Sequence, residues 1–228
     1  MKKLLTFLLA TFCVAAAAHA EKALSRADYV KRFESCEAIL REFQADPAYA
    51  VPADVLAKAR GLVIMNQFKA GFIVGVQDGY AVLLVKKADG KWSVPALLRA
   101  GEASFGLQAG GKAVETVLVL MDDQTPRLLF EGRFKVGADA KAVAGPRAAE
   151  RESMAQTALE AAPILVYQKV KGLYAGATLK TGWLQRNDTA NRAFYSTNYT
   201  LPELLYSDWV TPPAEVQPLI DFVQKIAP

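Results

Sequence analysis

The chain has 228 residues, 52% of them apolar and 22% charged, and a formal charge of +4. That length gives one ordinary domain or at most two small ones, and that balance excludes wholesale disorder. The charge is too mild for a nucleic-acid binder, and one histidine (His19) with two cysteines (Cys13 and Cys36) leaves little for metal or nucleophile chemistry.

Residues 1–20 carry the three parts of a secretory signal peptide: Lys2 and Lys3, an apolar run over 4–14, and the small-residue end Ala18-His19-Ala20. A spanning helix needs about 20 apolar residues, so cleavage before Glu21 is expected. A lipoprotein would instead acylate Cys13, but Phe12 stands where a small residue belongs. The expected mature chain, 21–228, has no histidine and only Cys36. That excludes Ser-His-Asp and Cys-His relays, a histidine-bearing zinc site and an intrachain disulfide. No later run is long enough to span a bilayer, so the expected product is periplasmic or secreted, and soluble or peripheral on a membrane.

Tyr29, Phe33, Cys36, Leu40 and Phe43 recur at helical spacing and predict a helix over 25–43, capped by Ser25 with Asp28 and ended at Asp46-Pro47. Cys36 reads as a small apolar residue on that face. Pro52 and Asp54 open a short helix that Gly61 stops. Strand-like runs follow at 62–65, 71–76, 80–86 and 91–95, with Asp78-Gly79 and Asp89-Gly90 as hairpin turns. Residues 116–121 and 127–130 predict another hairpin, through Asp122-Asp123 and Pro126. Residues 147–161 read as helix or surface, and 164–168 and 173–184 as strand. Val216, Leu219, Ile220 and Val223 line one side of a last helix over about 213–226. The expected class is α+β, a single domain with a β-rich core of mainly antiparallel strands and helices at both ends.

The stretch from Gly106 to Lys112 nearly spells a phosphate loop, and Asp122 imitates the acidic strand end of such proteins. Ala113 lacks the hydroxyl that holds magnesium, and the chain between Lys112 and Asp122 is too short for a helix and a crossover. Gly106, Gly110 and Gly111 therefore read as structural. The paired carboxylates Asp122/Asp123 and Glu150/Glu152 read as solvated, because general acid–base work needs burial to tune a pKa. The sequons at Asn187 and Asn198 matter only in a glycosylating host.

Charge is unevenly divided. Residues 21–60 hold seven basic and seven acidic residues, whereas 133–186 hold nine basic against four acidic. Tyr167, Tyr174 and Trp183 are interleaved with those cations. Each well-placed cation adds about 1 kcal/mol of attraction to an anionic bilayer surface. Alternation along strands would separate half of these cations from the other half.

Several spaced motifs carry a family likeness. Val51-Pro52, Gly61-Leu62, Ala70-Gly71-Phe72 and Asp89-Gly90-x-Trp92-Ser93-x-Pro95-Ala96 come first. Ser104-Phe105-Gly106, Gly137-Ala138-Asp139 and Ala144-Gly145-Pro146 follow, then Gly172-Leu173-Tyr174-Ala175-Gly176, Asp188, Asn191 and Tyr195. In this order they resemble a SYLF domain over about 51–196. The resemblance implies a lipid-binding module, with phosphoinositide binding in eukaryotic members, actin bundling in some, and bacterial secreted single-domain members. Tyr174 stands where Phe is usual, Lys180-Thr181 replaces the common Glu-Gly, and the N-terminal segment is net neutral rather than basic.

The expected function is non-enzymatic binding of an anionic phospholipid or membrane surface by an exported protein. A small-molecule carrier or protein-interaction module is the alternative. The residues expected to meet lipid are Lys169, Lys171, Lys180, Arg186, Arg133 and Lys135, with Tyr174 and Trp183 at interfacial depth. No catalytic residue, metal or cofactor is expected. Export argues against an actin role, and no nucleic-acid partner is expected.

Overall fold

The computed structural model describes residues 24–70, 74–105, 111–145, 162–171 and 182–228. The expected signal peptide, the 147–161 segment and Gly106 and Gly110 lie outside these residues. Helix α1 (Arg26–Ala45) starts at a capping box: Ser25 accepts from the Asp28 backbone N–H, and Asp28 accepts from that of Ser25. Its apolar stripe, Tyr29, Phe33, Cys36, Leu40 and Phe43, is buried as its spacing requires. Helix α2 (Ala53–Lys58) follows.

Among the described residues eight strands then form one sheet in the order β5-β8-β3-β2-β1-β4-β7-β6. They are β1 (Gly61–Ala70), β2 (Val74–Val85), β3 (Ala96–Phe105), β4 (Gly111–Leu120), β5 (Arg133–Lys135), β6 (Ala142–Ala144), β7 (Ile164–Lys171) and β8 (Trp183–Arg186). Every pairing is antiparallel except that of β6 with β7. Helices α3 (Asp188–Tyr195), α4 (Leu201–Tyr206) and α5 (Gln217–Ile226) complete the chain, so the class is α+β.

Both faces of the sheet's centre are buried, which is why its central strands read as continuous apolar runs. Leu62, Ile64, Val82, Leu84, Val117, Val119 and Leu165 face α1, α2, α3 and α5. The alternate residues Val63, Met65, Leu83, Leu98, Leu118, Leu120 and Val166 face α4 and the 3-10 turn Thr125–Phe130. Each buried Leu or Val side chain contributes about 1.5–3 kcal/mol relative to exposure.

Three local expectations are corrected. Asp78-Gly79 is no turn but the middle of β2, where Gly79 pairs with both Gln67 and Ala100. A Cβ at Gly79 would lie 2.6 Å from the Asn66 carbonyl oxygen, so the glycine permits close strand approach instead of a reversal. Residues 127–130 form a 3-10 turn rather than a strand, because Asp122 accepts from the backbone N–H of Gln124 and Thr125 and Pro126 fixes the first turn. Residues 91–95 contribute one bridge, Lys86 to Trp92, and not a strand. The Asp89-Gly90 turn forms as read, with Lys87 and Lys91 closing it.

Candidate functional site

Strands β5, β8 and β3 make one end of the sheet. Phe134 and Leu184 point into the core beside α4, so alternation sends Arg133, Lys135, Trp183 and Gln185 to the opposite face. Leu98 and Ala100 do the same for Arg99. Register then places Tyr80, Arg99, Gln185 and Arg133 in one row across four strands. The next row holds Gly101, Trp183 and Lys135.

The Trp183 indole fills the space above Gly101, where an added Cβ would fall 2.4 Å from a ring carbon. The Arg133 guanidinium lies over the same ring, 4.1 Å from its centroid. Trp183 is thus a half-buried plate that packs against the Gly101 backbone and carries a cation. Arg99, Arg133 and Lys135 are exposed, and none of the three has an ion-pair partner among the described residues. The Asp139 carboxylate accepts from the backbone N–H of Lys135 at 2.6 Å. At the inner end of the row Arg32 of α1 lies 4.9 Å from the Tyr80 ring centroid. Asn66 donates to the Tyr80 hydroxyl and to Ser35, both at 3.1 Å, and so ties the row to α1.

The residues named from sequence do not form one cluster. Arg133, Lys135 and Trp183 come together at this edge. Arg186 lies on the other face, held by Asp188 at 3.1 Å and by the Phe130 carbonyl at 2.8 Å. Lys169 is on β7, five strands from β8, where its ammonium meets Glu42 at 2.8 Å and Asp46 at 3.7 Å and its side chain is 18% exposed. Its Nζ is also 5.2 Å from the Tyr49 ring. Lys171 ends β7, and Tyr174 and Lys180 lie outside the described residues. Sequence reading missed Arg99 and Gln185. The signal available for Arg99 was its place between Leu98 and Ala100, a polar residue inside a small-apolar run.

Lys169 holds α1 to the sheet, and its reversal has a defined cost. Lys169→Glu turns two attractive contacts into repulsive ones beside Glu42 and Asp46, and is expected to destabilise by roughly 1–2 kcal/mol. Urea denaturation measures this; an unchanged midpoint would show the ion pair to be energetically idle.

Other candidate chemistry resolves as structure. The helix a phosphate loop requires is replaced by strand β4, which starts at Gly111. Cys36 is fully buried with its Sγ 3.6 Å from the Ile64 carbonyl oxygen, and burial pushes its thiol far up, away from the reactive thiolate. Asn187 is buried as the cap of α3, accepting from the Ala190 N–H. Among the described residues no group of three metal-ligating side chains occurs, and no helix is long and apolar enough to cross a membrane.

Comparison with known proteins gives the class of the chain. The family described as "Las17-binding protein actin regulator" (Ysc84) matches residues 101–226. The chain belongs to this Ysc84, or SYLF, family. It is 31% identical over 193 residues to bovine "SH3 domain-containing YSC84-like protein 1", covering 82% of this chain and 56% of the relative. It is 31% identical over 179 residues to "LAS seventeen-binding protein 3" of Saccharomyces cerevisiae, covering 78% of this chain and 39% of the relative. A Schizosaccharomyces pombe "SH3 domain-containing protein PJ696.02" is 32% identical over 171 residues, covering 74% of this chain and 40% of the relative. The chain thus spans about half, or less, of the curated relatives it matches. No solved structure matches. Of these relatives the budding-yeast protein is named for binding, and the other two for an SH3 domain.

These findings correct the expectation against actin. The family description names an actin regulator, and the yeast relative is named for binding Las17.

Proposed function

We propose that this chain is a non-enzymatic protein that binds anionic phospholipid surfaces through the β5–β8–β3 edge. The observation that carries this reading is the set of exposed cations Arg99, Arg133 and Lys135 on one sheet face, without ion-pair partners among the described residues. Cations so placed attract an anionic bilayer within about a Debye length, and each contributes about 1 kcal/mol. Vesicle co-sedimentation tests it: binding is expected to rise with phosphatidylglycerol content and to fade between 50 and about 500 mM salt. Absence of binding at low salt to every anionic composition would refute it, and a ligand retained in native mass spectrometry would favour a carrier instead.

The basic, apolar and small-residue order of residues 1–20 supports export, with maturation before Glu21. The intact mass of material recovered outside the cytoplasm tests this; a mass retaining residues 1–20 speaks against it. The family description favours a second reading, actin regulation, for which co-sedimentation with filamentous actin is the test.

A further inference from the structure

We propose that Arg99 and Arg133 form a two-guanidinium clamp over Gln185 that takes a single phosphate group, with Trp183 as the plate that positions Arg133. The inference rests on the reading of this edge as the binding surface, and it adds what the edge recognises.

Both arginines stand opposite Gln185, one from each neighbouring strand. Two interstrand spacings set their Cα atoms about 10 Å apart, with both side chains on one face. A guanidinium offers a planar fork of donors, each reaching a phosphate oxygen at about 2.8 Å. One tetrahedral oxyanion between two such forks fits that separation, and Gln185 stands between the two arginines on the same face. Neither guanidinium is engaged by a carboxylate among the described residues. The two also differ in freedom. Arg99 is exposed and makes no ion pair among the described residues, whereas Arg133 is stacked 4.1 Å from the Trp183 ring. Trp183 can lie there because residue 101 has no side chain. Ordering Arg133 before the ligand arrives lowers the entropy lost on binding. Lys135 and Arg32 flank the clamp and add charge without direction.

The phosphate could belong to a bilayer lipid or to a soluble phosphate ester, so both arms are run on the full chain. The first titrates inorganic phosphate and glycerol phosphate by calorimetry. The second uses phosphatidylcholine vesicles containing phosphatidic acid or phosphatidylglycerol. Arg99→Lys and Arg133→Lys keep the charge and remove the fork, and each is expected to weaken binding about tenfold in whichever arm binds. Trp183→Leu is expected to match Arg133→Ala and to add nothing to it in the double variant, with thermal melting confirming that each variant is folded. Wild-type affinity in both lysine variants overturns the clamp, as does a Trp183→Leu effect that survives in the Arg133→Ala background. If only the soluble arm binds and responds, the clamp stands and the membrane reading falls. If vesicle binding responds to charge reversal but not to lysine replacement, the membrane reading stands and the clamp falls.

Discussion

Asn191→Ala is expected to lower the stability of the fold by about 2–4 kcal/mol, since each buried backbone group left unpaired costs about 1–3 kcal/mol. The Asn191 carboxamide is 2% exposed. It accepts from the Leu97 N–H at 2.8 Å and donates to the Leu97 carbonyl at 3.0 Å. Strand β8 pairs with β3 only as far as Arg186 opposite Leu98, because the chain turns away at Asn187 to start α3. Asn191 reaches back from α3 and makes the two bonds that one more strand residue would have made. Asn191→Asp keeps the acceptor for the Leu97 N–H but turns a carboxylate toward the Leu97 carbonyl, so it should not rescue. Urea denaturation reads both variants; a loss below 1 kcal/mol for alanine, on the scale of a single solvated hydrogen bond, would show that water replaces the carboxamide.

Phe33→Ala should cost about 3–5 kcal/mol, the range for deleting a buried aromatic ring. Phe33 is 1% exposed and its ring packs against Phe194 of α3 with centroids 4.7 Å apart, so it locks α1 to the C-terminal helices as well as to the sheet. The variant also separates two uses of α1. A helix whose apolar stripe is committed to the core loses stability and leaves the vesicle affinity of the folded protein unchanged. A helix that leaves the sheet to enter lipid would lose vesicle affinity as well as stability.

The helices at the two ends were legible because period and caps are local. The Ser25 and Asp28 pair and the 3.6-residue recurrence from Tyr29 to Phe43 need no tertiary information. Helix α3 was missed because two turns offer only Ala190 and Phe194 as apolar repeats. Its left-handed stop at Ser196 (φ 52°) has no glycine to announce it. Strand β3 was missed since small residues dilute its alternation, and Asp78-Gly79 misled because a dipeptide suited to a turn also suits close strand packing. The candidate edge was half legible. Arg133, Lys135 and Trp183 were named from charge and aromatic interleaving. That Arg99 joins them while Arg186 and Lys169 do not is a matter of strand order and register, which separate residues adjacent in sequence and unite ones far apart.

The most direct measurement compares two charge reversals of equal size on phosphatidylglycerol vesicles at low salt. Arg99→Glu with Arg133→Glu alters the sheet edge; Lys31→Glu with Lys58→Glu alters exposed positions on α1 and α2. At about 1 kcal/mol per well-placed charge, the edge pair is expected to lose at least about tenfold in affinity and the helix pair about twofold or less. Equal losses, or a greater loss from the helix pair, would contradict the sheet edge as the membrane contact.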